Sequence, residues 1–204
     1  MIVGFDSYKH KYNFSNVTGV IHVGAHHGQE YEMYMQEFGQ MPTHWFEPLS
    51  EAYSVRRENI GGKPQVRTYK CALGPSRSVS RIWQDEGNDG QSSSLMKPKG
   101  HLEQWPHIEF NQSGEVLVET LDSFRISDSN LIVIDAQGYE LEVLKGSDET
   151  LKRIDHVFCE VNVTEIYEGC PTLEDLDAFL SERGFHLREK WWTKSNWGDC
   201  YWSR

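Results

Sequence analysis

The chain has few cysteines and no long apolar run, and both features exclude classes of protein. The four cysteines are Cys71, Cys159, Cys170 and Cys200. They are widely scattered and form no Cys-x-x-Cys pair, which leaves zinc and redox motifs unsupported. The first residues lack the apolar run of a signal peptide, and no stretch is long enough to span a bilayer. We therefore expect a cytoplasmic protein with reduced thiols and no membrane partner.

Positive charge is also scarce. Lys and Arg number 20 against 31 Asp and Glu, which gives a formal net charge of −11. Such a field repels phosphate backbones, so we expect no nucleic-acid partner. With 204 residues, of which 38% are hydrophobic, the chain suffices for one α/β domain with a buried core. We expect residues 1–19 to be an N-terminal extension of that domain, and the sequence indicates no oligomeric state.

Short apolar runs alternate with stretches of helical periodicity. The predicted strands are Val20–Val23, His44–Phe46, Gln65–Cys71, Leu131–Ile134 and Val157–Val161. Helices are predicted between them, and Thr172 with Asp175 forms a capping-box pattern at the start of a late helix. This alternation predicts a doubly wound, mostly parallel α/β sheet. Alternating aromatic and polar residues at 185–204 predict an antiparallel C-terminal hairpin.

Residues 74–114 show the least regular pattern. They contain Gly-Asn-Asp-Gly at 87–90 and three serines at 92–94. A long loop in a compact domain is often a functional lid, although a disordered insertion has the same composition. We predict an irregular insertion in this segment, with both interpretations open.

A turn with two glycines follows the first predicted strand. Its sequence is GAHHGQE at 24–30. The glycines allow a tight turn and a close approach of ligand to backbone, and the next helix points free amides at the same place. A Gly-x-Gly-x-x-Gly dinucleotide fingerprint would need glycine at His26 and Gln29, and no Gly-Lys-Ser/Thr of a P-loop follows. A pyrophosphate is therefore not the expected ligand.

Acidic and amide side chains lie at the ends of three other predicted strands. Glu47 follows the second strand, about 20 residues after the glycine turn, where a carboxylate suits ribose hydroxyls. Asp135 follows the apolar run Leu131–Ile134, and a carboxylate buried there is costly without a partner. Glu160 and Asn162 lie on one side of the next strand. Because ligands of open α/β sheets bind at the carboxyl ends of the strands, we expect these groups in one site.

These segments resemble the FkbM-type methyltransferase family of class I S-adenosylmethionine enzymes, from about Val20 to the C-terminus. The most specific block is DAQGYE at 135–140, followed by LKG at 144–146. VGAHHGQE at 23–30, FEP at 46–48, ALG at 72–74 and TLDS at 120–123 also carry the resemblance. The resemblance implies a seven-stranded Rossmann-like sheet, S-adenosylmethionine as cofactor, and O-methylation of a sugar or another small-molecule hydroxyl.

The positions of these residues and the resemblance together suggest roles. Asp135 is the first candidate for the catalytic base or acceptor-positioning group, Glu160 the second, and His26 is a further one. The expected cofactor-binding residues are Gly24, Ala25, His26, Gly28, Glu30, Glu47, Pro48, Ala72, Leu73, Asp135 and Gln137. A Mg²⁺ ion held by Asp135, Glu160 and Asn162 would lower the pKa of the acceptor, and it is the less favoured mechanism.

Two other functions stay open at this point. A non-catalytic carbohydrate-binding domain of the same fold would use the tail residues Trp191, Trp192, Trp197 and Trp202, whose pattern equally suits packing of an edge strand. An NAD-dependent oxidoreductase is disfavoured by the residues at 26 and 29 of the glycine turn. Binding of S-adenosylmethionine separates the methyltransferase from both.

Overall fold

The structure is a computed structural model that describes residues 9–195 and 197–204. Within these residues ten strands and six α-helices alternate along most of the chain. The strands are β1 Val20–Val23, β2 Thr43–Phe46, β3 Val66–Tyr69, β4 Ala72–Leu73, β5 Ser78–Glu86, β6 Glu109–Glu119, β7 Leu131–Ile134, β8 His156–Asn162, β9 His186–Trp192 and β10 Trp197–Ser203. The helices are α1 Tyr31–Phe38, α2 Ser50–Ile60, α3 His101–Gln104, α4 Glu140–Lys145, α5 Asp148–Leu151 and α6 Leu173–Ser181.

The larger sheet has seven strands in the order β3-β2-β1-β7-β8-β10-β9. Pairing is parallel from β3 through β8, whereas β10 is antiparallel to both β8 and β9. The chain builds outward from β1 to β3 and later returns to place β7 on the other side of β1. The strand order therefore reverses between β1 and β7, where a crevice for ligands forms. The predicted doubly wound sheet and C-terminal hairpin are confirmed.

The central strands are apolar because helices and loops cover both faces of the sheet. Ile21 and Val23 of β1 pack in a cluster with residues of α4 and α6. Val20 packs on the opposite face with Tyr31 and Tyr34 of α1. All four residues of β7 are buried, as expected for a parallel strand in the middle of a sheet. Each such aliphatic side chain contributes roughly 1.5–3 kcal/mol when fully buried.

Helix α6 begins at the predicted capping box. The Thr172 hydroxyl accepts a hydrogen bond from the Asp175 amide at 3.2 Å, and the Asp175 carboxylate accepts one from the Thr172 amide at 2.9 Å. Leu176 and Leu180, one helical turn apart, are fully buried in the core. Gly184 adopts a left-handed φ of 81° just beyond the helix. Local sequence signals therefore account for both ends of this helix.

Residues 74–114, for which the sequence predicts an irregular insertion, contain strand β5, the short helix α3 and the start of β6, with irregular backbone between them. Strand β5 pairs antiparallel with β6, and β4 pairs parallel with β6, so a second, three-stranded sheet forms. Most residues of β5 are exposed or half-buried, so the strand lacks the apolar alternation that would reveal it. The second sheet packs on the rest of the domain through a small hydrophobic cluster, in which Ile82 and Val116 contact Leu49 and Ala52 at the start of α2.

Residues 9–19 of the predicted N-terminal extension pack on the larger sheet. Tyr12, Phe14 and Val17 contact the core cluster on the α1 face. The Phe14 ring lies 5.5 Å from the Tyr201 ring. Residues 1–8 of the extension lie outside the described residues.

The four cysteines are free thiols. Burial raises the pKa of Cys71 and of Cys200 to about 12, so both thiols stay protonated near neutral pH and unreactive. Across residues 9–195 and 197–204, no helix combines the length and the apolar character that a membrane crossing requires.

Candidate functional site

A cavity of about 380 Å³ opens at the carboxyl ends of β1, β2, β7 and β8. Its volume is within the usual range for small-molecule sites, about 300–1,000 Å³. The lining includes the predicted residues Gly24, His26, Glu30, Glu47, Pro48, Ala72, Leu73, Asp135, Gln137, Glu160 and Asn162. Ala25 and Gly28 do not line it and instead shape the turn behind its wall. One cavity thus brings together most of the residues that the sequence singled out.

The cavity has two ends, set by the strand order. We call the part beside Glu47, Ala72 and Leu73 the β2 end, and the part beside Glu160 and Asn162 the β8 end. In the sheet β2 and β8 are separated by β1 and β7. Three strand spacings of ~4.8 Å place these ends about 14 Å apart. A ligand that extends across the crevice therefore passes the ends of β1 and β7.

The glycine turn brings the backbone of β1 against that of β7. Gly24 has a φ of 77°, and a Cβ atom built on it would lie 1.7 Å from the carbonyl oxygen of Asp135. Only glycine permits this approach. The amides of Gly24 and Ala25 both donate to the Phe46 carbonyl, at 3.1 and 3.0 Å, which joins the turn to β2.

Glu47 is held in place by two backbone amides at the end of β2. Its Oε2 accepts a hydrogen bond from the His26 amide at 2.9 Å, and its Oε1 accepts one from the Leu49 amide at 2.8 Å. Burial raises the pKa of Glu47, and the Leu49 amide, Arg56 and the His26 amide oppose that rise. A carboxylate has about four acceptor positions. Two therefore remain for hydroxyl groups of a ligand in the cavity.

Asp135 and Glu160 form a carboxyl pair at the ends of β7 and β8. The Gln137 side-chain amide donates to Asp135 Oδ1 at 2.7 Å and to Glu160 Oε1 at 3.3 Å. Burial raises the pKa of both carboxyls, and the charge of Asp135 raises the pKa of Glu160 further, to well above its usual range. Hydrogen bonds from Gln137 and Glu160 lower the pKa of Asp135. Of the two carboxyls, Glu160 therefore has the more strongly raised pKa and the greater tendency to hold a proton.

Gln137 is fixed so that its amide nitrogen faces the carboxyl pair. Its backbone is left-handed, with a φ of 52°. The Tyr167 hydroxyl donates to Gln137 Oε1 at 3.0 Å, and the Ser94 hydroxyl donates to the Gln137 carbonyl at 2.6 Å. The sequence suggested Gln137 only as a cofactor contact. No sequence pattern indicated that the Gln137 amide donates to both Asp135 and Glu160.

Glu140 closes the turn that presents Asp135. Its Oε1 accepts hydrogen bonds from the amides of Ala136 and Gly138, both at 3.0 Å. The residue is 2% exposed. Burial raises the pKa of Glu140 to about 7, and the nearby charge of Asp135 adds to the rise. Glu140, the last residue of the DAQGYE block, is therefore a structural acceptor beneath the carboxyl pair.

An ordered loop after β5 forms the outer wall of the cavity. The Asp85 carboxylate accepts hydrogen bonds from the amides of Asn88, Gly90 and Ser92, at 3.0, 3.1 and 2.6 Å. The Tyr167 hydroxyl also lies 2.7 Å from the Ser92 carbonyl, so its single proton is shared between this carbonyl and Gln137 Oε1. The loop residues that line the cavity are Asn88, Gly90, Gln91, Ser92, Ser93 and Leu95. The loop covers the site as a lid would, and its opening stays a prediction.

His26 contacts this outer loop rather than the carboxyl pair. Its Nε2 lies 2.7 Å from the Asp89 carbonyl and must donate, because a carbonyl only accepts. Its Nδ1 then accepts from the Gln29 amide at 2.9 Å. Both ring nitrogens are engaged, so the geometry favours Asp135 over His26 as a base. His26, His27 and Asp89 have ligand-type atoms within 4.8 Å of one another, but the same hydrogen bonds occupy His26.

The residues predicted for Mg²⁺ do not fit a metal centre as they are arranged. Asp135, Glu160 and Asn162 all line the cavity. The amide group of Gln137, however, lies between the two carboxyls and donates to both. The proton on Glu160 further reduces the negative charge that would attract a divalent ion. The arrangement is that of a hydrogen-bonded carboxyl pair.

A further group of lining residues comes from α3 and the loop after it. They are His101, Trp105, His107 and Ile108. Backbone hydrogen bonds dock this segment on the loop after β8: the amides of Lys99 and His101 both donate to the Ile166 carbonyl, at 2.9 and 3.1 Å. Because these contacts join distant parts of the chain, no local sequence pattern marks the four residues.

Known proteins resemble this chain in sequence. Residues 22–187 match the methyltransferase FkbM domain. The 2-O-methyltransferase NoeI of Sinorhizobium fredii is 28% identical over 162 residues, which cover 74% of this chain and 65% of that protein.

Solved structures show the same fold at low identity. Methyltransferase FkbM from Methylobacillus flagellatus has a TM-score of 0.61 and 17% identity, over 95% of this chain and 45% of that one. Precorrin-6y C5,15-methyltransferase from Geobacter metallireducens has a TM-score of 0.53 and 12% identity, over 98% and 86%. The chain thus spans 65% of NoeI and less than half of the Methylobacillus protein. Because the domain match covers most of its length, the chain belongs to the FkbM methyltransferase family.

Proposed function

We infer that this chain is an S-adenosylmethionine-dependent O-methyltransferase that methylates a hydroxyl group of a sugar or another small molecule. The observation that carries the proposal is the convergence of the glycine turn, Glu47 and Asp135 on one cavity. Membership of the FkbM family and similarity to a 2-O-methyltransferase support it.

The residues of the β2 end fit the cofactor. Glu47 retains free acceptor positions for the two ribose hydroxyls, and Leu49, Ala72 and Leu73 offer an apolar border for an adenine ring. The turn that begins at Gly24 lies between this end and Asp135, where the methionine part would bind. Negative charge in the cavity suits a sulfonium cation. When bound, S-adenosylmethionine supplies an electrophilic methyl group for in-line attack by an acceptor oxygen.

The carboxyl pair would serve that attack by binding and deprotonating the acceptor. In its ionised form, Asp135 would receive the proton of the acceptor hydroxyl. Glu160 keeps its proton and stabilises the Asp135 anion, and Gln137 holds both carboxyls in position. A general base contributes about 10²–10⁴-fold to the rate. Alignment of acceptor and methyl group supplies roughly 7–11 kcal/mol of the barrier reduction.

Two measurements, made one after the other, test the proposed function. Calorimetry on the full chain should show binding of S-adenosylmethionine and of its demethylated product, S-adenosylhomocysteine, and no binding of NAD⁺. A screen of glycans and small molecules with labelled methyl donor should then show transfer to oxygen. Absence of cofactor binding would remove the proposed function, and binding of NAD⁺ in its place would favour an oxidoreductase.

A further inference from the structure

Tyr167 lies where three segments that form the cavity wall meet. It belongs to the loop after β8, and its side chain is fully buried. A β-bridge pairs it with Pro98, which comes shortly after the outer loop at 87–95. Its ring packs on the turn after β7, because a Cβ atom built on Gly138 would lie 2.9 Å from Tyr167 Cδ2. Tyr167 is therefore packed between the outer loop and the turn that presents Asp135.

The hydroxyl of Tyr167 lies between two acceptors. One is the Ser92 carbonyl of the outer loop, at 2.7 Å, and the other is Gln137 Oε1, at 3.0 Å. A tyrosine hydroxyl has only one proton to donate. The two oxygens therefore compete for this proton, and the orientation of the Gln137 side chain is not independent of the contact with the outer loop.

The orientation of the Gln137 amide determines what the carboxyl pair receives. With Oε1 toward Tyr167, the amide nitrogen donates to Asp135 at 2.7 Å and to Glu160 at 3.3 Å. If the amide turned over, its oxygen would face the carboxyls and could not donate to them. The Ser94 hydroxyl bonds the Gln137 backbone carbonyl and does not determine which way the side-chain amide faces. The Tyr167 hydroxyl does, because it donates to Oε1.

Negative groups around the carboxyl pair make this donor important. Burial raises the pKa of Asp135 and of Glu160, and neighbouring carboxyls add to the rise. The titratable groups that face the pair from other elements are Glu30 just before α1, Tyr34 of α1, Glu140 of α4 and Asp199 of β10. The hydrogen bond from Gln137 acts in the opposite direction and lowers the pKa of Asp135.

We propose that Tyr167 is a positioning residue of the reaction, which directs the Gln137 amide nitrogen to Asp135 and couples that orientation to the outer loop through Ser92. The role of Asp135 as base rests on the proposed function, whereas the hydrogen-bonded link is a property of the folded chain. When the Tyr167 proton is on Gln137, the Ser92 carbonyl loses its donor. When the proton is on Ser92, the amide is free to turn.

Carbon-13 NMR of the full chain, labelled at the aspartate side-chain carboxyls, tests the link to Asp135. The Asp135 signal is identified by its loss in Asp135→Asn. Tyr167→Phe keeps the ring but should raise the apparent pKa of Asp135 by up to about one unit, the effect of one hydrogen bond. Combining it with Gln137→Leu should give no larger shift than Gln137→Leu alone. Tyr12→Phe, which removes a hydroxyl bonded to a β9 carbonyl, is the control and should leave the titration unchanged.

Hydrogen exchange of the outer-loop amides in the same proteins tests the link to Ser92. Tyr167→Phe should speed exchange at residues 88–95 roughly 3- to 10-fold, because the Ser92 carbonyl loses its donor. Gln137→Leu should slow it, because Tyr167 then donates to Ser92 alone. Thermal unfolding checks the fold of each variant. Should Tyr167→Phe fail to fold, the direction of the change in Gln137→Leu decides the test.

An unchanged Asp135 titration in folded Tyr167→Phe, or loop exchange that does not slow in Gln137→Leu, overturns the assignment. Neither measurement uses cofactor or acceptor, so failure of S-adenosylmethionine to bind would remove the proposed function and leave these results standing. With an acceptor from the screen, Tyr167→Phe should move the acidic limb of kcat/KM to higher pH and leave KM for the methyl donor unchanged. A uniform loss of activity at every pH would refute a role in the reaction.

Discussion

The two ends of the cavity differ in how their polar groups are satisfied. At the β2 end, each oxygen of Glu47 accepts a backbone amide, so the main chain presets the carboxylate. At the β8 end, the side-chain amide of Gln137 donates to both Asp135 and Glu160. Main-chain amides thus position the carboxylate of the β2 end, whereas a side-chain amide positions the carboxyls of the β8 end.

The largest effect should follow from Asp135→Asn. Asparagine keeps the shape but cannot take the acceptor proton, so kcat should fall by about 10²–10⁴-fold. Because Asp135 lies beyond the β2 end, affinity for S-adenosylhomocysteine should change little. Steady-state kinetics with labelled methyl donor and calorimetry measure the two quantities. A large loss of cofactor affinity with unchanged kcat would reverse the roles assigned to the two ends.

Glu140→Gln should change how stability depends on pH. The folded-state pKa of Glu140 is raised from 4.5 to about 7, so the folded protein keeps this proton to higher pH than the unfolded chain does. Its contribution is fully present below pH 4.5 and is lost as the pH rises toward 7. The loss is on the order of 3 kcal/mol. Glutamine retains the acceptor oxygen for both amides and does not titrate.

Chemical denaturation of wild type and Glu140→Gln at a series of pH values measures this difference. The free energy of unfolding of the wild type should decline relative to that of the variant between pH 4.5 and about 7, and the two curves should run parallel above that range. Parallel curves over the whole range would mean that the carboxyl is ionised in the folded protein. The turn beneath Asp135 would then resemble the charged, amide-bound arrangement of Glu47.

Glu47→Ala should weaken cofactor binding by roughly 10- to 100-fold, the equivalent of one charge-assisted hydrogen bond of about 1.5–3 kcal/mol. Glu58→Ala, a change to an exposed glutamate on α2, is the matched control and should have no effect. Calorimetry with S-adenosylhomocysteine gives both affinities. Because Glu47 also holds the amides of His26 and Leu49, thermal unfolding of each variant should accompany the binding data. Unchanged affinity in a folded Glu47→Ala would exclude Glu47 from the cofactor site.

Gln137→Leu should produce the smallest change, a shift in the pH profile. The Gln137 hydrogen bond lowers the pKa of Asp135, so its removal should move the acidic limb of kcat/KM to higher pH. A shift of about one pH unit corresponds to a hydrogen bond of ~1.4 kcal/mol. Cofactor affinity serves as the control readout. A uniform loss of activity at every pH would indicate that Gln137 only supports the fold of the turn.

The sequence predicts the β2 end and the central sheet well because their signals are local. Buried parallel strands such as Leu131–Ile134 are continuous apolar runs, and Gly24 is required by a backbone approach that no other residue allows. Glu47 and Asp135 could be located because each directly follows such a strand. These features depend on neighbours along the chain, which a single sequence displays.

The sequence fails at the second sheet and at much of the β8 end because these depend on distant pairings. Strand β5 is largely exposed, so no apolar period marks it. His101 reaches the cavity only through backbone hydrogen bonds between its segment and Ile166. Gln137 gains its role only after Tyr167 and Ser94 orient it. Which polar atoms are left unpaired is likewise visible only in three dimensions.

The contact of Gly24 with the Asp135 carbonyl has a consequence for redesign of the cavity. Two main chains, not two side chains, set the spacing between the ends of β1 and β7. Mutation of cavity residues should therefore leave the distance between the ends of β1 and β7 nearly constant. Under the proposed function, changes in α3 and the loop after β8 should alter acceptor preference without altering the geometry of the methyl donor. Even an alanine at position 24 would force the strand ends apart and misalign every substrate alike.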